Sequence, residues 1–146
     1  MSYVLRDHTA DVAVEAAGAT IDEVFAAVAD GMAAAMCESV PGGGERFAFS
    51  VTAEGREPLL FDYLDELIYE RDVRGMLPVD NRATVSAPSE SEGASEEGGG
   101  RWRVEATARG VALDRVEARD LKAVTYSEMD LSETDDGWHA YVVFDV

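Results

Sequence analysis

Alternation of apolar and polar positions marks out most of the chain before any single residue does. Val12, Val14 and Ala16 alternate with Ala13, Glu15 and Ala17, the two-residue period of a strand. An extended stretch at Tyr3–Arg6 precedes it, and Asp7-His8-Thr9-Ala10-Asp11 reads as the turn between them. From Thr20 the period changes. Ile21, Val24, Phe25, Val28, Met32 and Met36 share one helical face, and Thr20 with Glu23 three places on gives a capping-box start. The opposite face is small rather than charged, with Ala26, Ala27, Gly31, Ala33 and Ala34. A helix of that kind is suited to cover on both sides, which predicts a helix layer held between sheets.

Beyond Pro41 and Gly42-Gly43-Gly44, the alternation of Phe47, Phe49 and Val51 with Ala48, Ser50 and Thr52 predicts a strand. A second helix is expected from about Glu57 to Val73. Leu60, Tyr63, Leu64, Leu67 and Ile68 form its apolar face, Asp62, Asp65, Glu66 and Glu70 its wet side, and Gly75 closes it. Residues 76–87 read as a strand. The polar, glycine-rich segment 86–100 reads as a flexible loop inserted between two hairpin strands. Trp102, Val104, Ala106 and Ala108 start the next strand, LKAVTYSEMDLSE gives another, and Asp135-Asp136-Gly137 signals the turn into a last strand from Trp138 to Asp145. Six or seven strands and two helices without regular βαβ alternation predict an α+β fold. The expectation is one domain over 1–146, with both helices packed against or between antiparallel or mixed sheets.

Composition narrows the class. Of 146 residues 47% are hydrophobic, enough for a globular core. No run reaches the roughly 18 apolar residues a membrane span requires, and the opening MSYVLRDHT lacks the basic-then-apolar form of a signal peptide. A cytoplasmic protein without membrane contact is expected. Twelve basic against thirty acidic residues leave a net charge of −18, a field that repels phosphate backbones and argues against unaided binding of RNA or DNA. Acidic residues spread along the whole chain suit a host with a very salty interior, so a halophilic source is expected.

The basic residues carry a finer signal. Eleven are arginine, and Lys122 is the only lysine. Chance or genomic base composition explains this as well as a positional need for a compact ammonium does. Cys37 stands alone, which excludes an internal disulfide, and it reads as a small buried hydrophobe. Neither His8 nor His139 is marked as a partner for thiol chemistry. No phosphate-cradling glycine loop, paired-cysteine motif, HExxH or serine elbow is present.

Carboxylates remain. Asp11 opens one strand and Asp145 ends the last. If those strands are antiparallel neighbours, the start of one meets the end of the other, and Asp11, Asp145 and the carboxylate of Val146 converge. Hard oxygen donors of that kind favour Mg²⁺, Ca²⁺ or Mn²⁺. Against this stands the ordinary role of an acidic side chain in so acidic a protein, a solvated surface group. His8 fits either an outer ligand or a hydrogen-bonded turn residue, while Asp7 and Thr9 fit turn roles.

Several segments resemble the archease family. They are DHTADVAVEAAGATIDEVFAAVADGM at the start, LLFDYLDELIYERDVRGML in the second helix, LKAVTYSEM, and the terminal VVFDV, all in family order. The resemblance implies a protein that activates an RtcB-type RNA ligase in tRNA splicing, promoting GTP-dependent guanylylation and multiple turnover with no catalytic nucleophile of its own. It implies metal positions at Asp11, Asp145 and Val146, a functional lysine at Lys122 and a divalent cation as cofactor; with the acidic composition, the expected source is a halophilic archaeon. A monomer is expected. Two other readings stay open, a general chaperone or adaptor for RNA-processing proteins and a metal-dependent phosphoester hydrolase.

Overall fold

The computed structural model describes residues 2–8, 11–88, 101–116 and 118–146, without the side chains of Arg6, Asp7, His8 and Arg115. In chain order the elements are β1 (Ser2–His8), β2 (Asp11–Gly18), α1 (Ile21–Met36), β3 (Arg46–Ala53), α2 (Arg56–Arg74), β4 (Met76–Ser86), β5 (Trp102–Ala112), a 3-10 turn (Leu113–Arg115), β6 (Ala123–Thr134) and β7 (Gly137–Asp145). The strands form two sheets, β1-β2-β7-β6 and β3-β5-β4, and every pairing is antiparallel. The mixed-sheet alternative therefore falls away. Asp7 and His8, expected in a turn, belong to β1. Thr9 and most of the 86–100 segment (89–100) lie outside the described residues, whereas Ser86 ends β4.

Helix α1 packs on β1, β2 and β7 of one sheet and on β4 of the other. Its small-residue face is what allows this: Ala26, Ala27, Ala29 and Ala33 are buried along with Val24, Phe25, Val28 and Met32. The Thr20 side chain accepts from Glu23 N–H at 3.2 Å, as the cap pattern predicts, but Glu23 Oε1 reaches back to Ala19 N–H rather than to Thr20.

Gly31 sits where α1 presses on the sheet. A Cβ there would stand 2.5 Å from Val14 Cγ1 and 3.2 Å from Tyr3 Cγ. In an open helix Gly→Ala stabilises by roughly 1 kcal/mol. Here overpacking reverses the sign, and Gly31→Ala is expected to cost about 1–3 kcal/mol in urea unfolding. A stabilised variant would show that the two layers are not in tight contact.

The two carboxylates of α1 that point toward β4 serve its exposed edge. Asp22 Oδ1 accepts from Val85 N–H at 2.7 Å. Asp30 Oδ1 accepts from both the backbone N–H and the Nδ2 of Asn81, at 3.0 and 2.9 Å. Burial raises the Asp30 carboxyl above its ordinary range, and the Asn81 bonds oppose that rise. Asn81 follows Asp80, which has φ 48°. These two residues stand opposite the single Ala108 in a β-bulge. Pro78 is tolerated because β4 is an edge strand.

Candidate functional site

Strands β2 and β7 are the two central strands of the four-stranded sheet. Val12, Val14 and Ala16 of β2, with Ala140, Val142 and Phe144 of β7, belong to the core beneath α1. Side chains of alternate residues therefore project from the other face. Asp11 lies on that face, and its register partner is Asp145. Directly opposed residues of an antiparallel pair have Cβ atoms about 4.5–5.5 Å apart on the same side. The two carboxylates that the sequence places 134 positions apart are thus neighbours. On its other flank Asp145 pairs with Ala123, the first residue of β6.

Lys122 immediately precedes that residue. Its backbone N–H donates to the Asp145 carbonyl at 2.8 Å, and its side chain is exposed. Val146 is half-buried and packs against the core, so the last residue is held beside the pair. His8 is the backbone partner of Asp11 on β1, with its side chain outside the described set. Among the described residues no three His, Cys, Asp or Glu side chains gather closely enough to hold a metal ion. The candidate donor set is two aspartates and oxygen from Val146.

What holds Lys122 in place was not visible in the sequence. Arg71, in the last turn of α2, is 7% exposed. Its Nη1 donates to the Leu121 carbonyl at 2.8 Å, and Nε and Nη2 both donate to Asp72 Oδ1 at 3.0 and 2.8 Å. Leu121 itself is fully buried, and Arg119 N–H donates to the Met36 carbonyl at 2.7 Å. The connection before β6 is therefore pinned to the ends of both helices and to β7. Helical periodicity does not single out Arg71, because its chief partner is a backbone carbonyl fifty residues later.

Other candidates resolve differently. Cys37 is buried, with Sγ 3.2 Å from the Ser39 carbonyl, in keeping with a packing role. His139 lies between two carboxylates of other strands, with Nε2 3.1 Å from Glu15 Oε2 and Nδ1 3.6 Å from Asp130 Oδ2. It sits six residues before Asp145 along β7, roughly 20 Å away at strand rise. No described helix is long and apolar enough to cross a membrane.

Comparison with known proteins gives these observations a context. The model of the Archease protein family matches residues 3–146. Protein archease of Methanosarcina mazei is 34% identical over 149 aligned positions, covering 99% of this chain and 95% of that protein. The solution structure of protein 1598 from Methanobacterium thermoautotrophicum superposes with a TM-score of 0.75 at 26% identity, covering 99% of this chain and 98% of the other. The crystal structure of a Thermotoga maritima archease, described as a possible chaperone, shares the fold with a TM-score of 0.61 at 22% identity, covering 97% and 94%. By sequence across nearly its whole length, and by the arrangement of both sheets and both helices, this chain belongs to the archease family.

Proposed function

We propose that the chain activates an RtcB-type RNA-splicing ligase, promoting its GTP-dependent guanylylation and repeated turnover without contributing a nucleophile. The observation that carries this reading is the cross-strand pair Asp11–Asp145 with Lys122 hydrogen-bonded to it through the backbone. Asp11, Asp145 and an oxygen of Val146 would hold a divalent cation, Ca²⁺, Mg²⁺ or Mn²⁺. The donor set is all hard oxygen, and two facing carboxylates repel unless a cation lies between them. When bound, such an ion supplies positive charge and coordination positions to oxygens of the partner.

Lys122 contributes a compact, mobile charge beside the pair, suited to a phosphate or to a ligase carboxylate. The acidic body is complementary to the basic rim of an RNA-binding enzyme and unsuited to RNA itself. The deciding measurement is single-turnover guanylylation of the host ligase with GTP and Mn²⁺, with and without this protein, across a range of KCl. Acceleration supports the reading, and equal rates overturn it.

A further inference from the structure

Helix α2 lies on the flank of the molecule, against β3, β4 and β5 on one side and β6 on the other. Its buried face is Leu59, Leu60, Tyr63, Leu64, Leu67, Ile68 and Arg71, and the face away from them is not uniformly polar. Phe61, Asp65, Tyr69 and Val73 recur every four residues and form one ridge, which starts at the half-buried Phe61 beside the core and turns outward toward Tyr69 and Val73. Tyr69 is 57% exposed and Val73 63%, unusual for large apolar groups at successive turns.

Strand β6 extends the line. Between Thr125↔Val143 and Asp130↔Tyr141, four residues, Tyr126 to Met129, stand opposite Val142 alone. Glu128 in this bulge has φ 61°, a backbone state that costs an ordinary side chain free energy. The bulge sets Tyr126 face to face with Phe61, ring centroids 4.2 Å apart and planes within 3°, while Tyr126 stays 53% exposed. Bulges of this kind re-aim a side chain, and here the effect is to present an aromatic ring to solvent at one end of the stripe.

Carboxylates border it. Asp62 and Glu57 are close enough to push the Tyr126 phenol up, behind the effect of burial. Burial and then Asp65 raise the Asp62 carboxyl. Partial burial, with Glu70 and Asp65 adding to it, brings Glu66 up to about 7. Crowded carboxylates around exposed rings match a partner whose apolar centre is ringed by cations.

We infer that the α2 face bearing Phe61, Tyr69 and Val73, continued by Tyr126, is the docking surface for the ligase, and that the ligase meets it with an apolar cleft rimmed by arginine or lysine. This rests on the ligase reading above and adds a second place of contact that runs up to the Asp11–Asp145 end. Tyr126 lies three residues beyond Ala123, the register partner of Asp145, and Arg71 of the same helix holds the Leu121 carbonyl. Aromatic anchors supply the affinity of such an interface, and the charged border governs approach and partner choice.

The test is a titration of guanylylation rate against the full chain, with direct binding followed by biolayer interferometry. The Tyr69→Ser, Val73→Ser double variant and Tyr126→Ser alter exposed side chains, and their thermal midpoints report that the fold is intact. Each is expected to raise the half-maximal concentration at least tenfold while the plateau at saturation is still reached. Asp65→Asn with Glu66→Gln should slow association severalfold and flatten its dependence on KCl. Lys122→Ala is the contrast, lowering the plateau at an unchanged half-maximal concentration.

Stripe variants that leave the half-maximal concentration unchanged would overturn the docking surface and leave the ligase function standing. A lowered plateau would also overturn it, placing the stripe in the chemistry. Self-association in sedimentation that the stripe variants abolish would assign the face to a second copy of the chain. A wild-type chain that neither binds nor stimulates the ligase would remove the function and the surface together.

Discussion

Replacing Lys122 by alanine is expected to lower ligase guanylylation at saturating protein at least tenfold, about 1.4 kcal/mol of lost stabilisation, with no change in thermal midpoint. The ammonium is exposed, and the bond that anchors this residue runs from its backbone to Asp145, so removing the side chain leaves the tether intact. Lys122→Arg is the sharper probe. It retains the charge but substitutes a planar fork for a compact point charge, and recovery only in part would show that shape matters as well as sign. Asp11→Asn should cause a comparable loss, because it halves the charge of the cross-strand pair while keeping its size. A general chaperone or adaptor acting through its surface would be indifferent to all three substitutions, so unaffected stimulation would favour that reading over ours.

The second large effect is on stability. Arg71→Ala removes the donor to the buried Leu121 carbonyl, a loss of about 1–3 kcal/mol when the acceptor stays buried. It also empties the volume of a long aliphatic stem. Together these place the expected destabilisation in urea unfolding at roughly 2–4 kcal/mol. Arg71→Lys restores a charge but not the fork that spans Leu121 and Asp72, and should recover only part of the loss. Because the same contacts pin the residues ahead of Lys122, folded Arg71→Ala protein should also stimulate less well. Wild-type stability in that variant would show the tether to be dispensable.

The parts of the fold governed by local periodicity were legible in the sequence. The Ala26, Ala27, Gly31 and Ala33 face pointed to a helix covered on both sides, and the structure places α1 there. The pairing of Asp11 with Asp145 followed conditionally from the ends of two alternating segments, and the register meets that condition. What escaped was set by distant or irregular backbone. The strand over LKAVTYSEMDLSE read as continuous, yet Tyr126 to Met129 leave the ladder, because a bulge leaves little trace in the hydrophobic pattern and the ring that Tyr126 meets there, Phe61, belongs to another element. The division into two sheets depends on which strands meet across α1, which no window of local sequence encodes. Arg71 and His139 were opaque for the same reason, since their partners, Leu121, Glu15 and Asp130, come from other elements.

The pairing of β2 with β7 has a kinetic side. It joins residues 134 positions apart, so the two aspartates meet only after almost the whole chain is available, and the entropy of closing so large a loop is met late. The three-stranded sheet draws on strands within residues 46–112 and is free to organise sooner. Chains that lack β7 lack the acidic pair altogether. The cation binding proposed for Asp11 and Asp145 would then require finished folding, and pulse-labelled hydrogen exchange should find protection at the β2–β7 ladder among the last to arise.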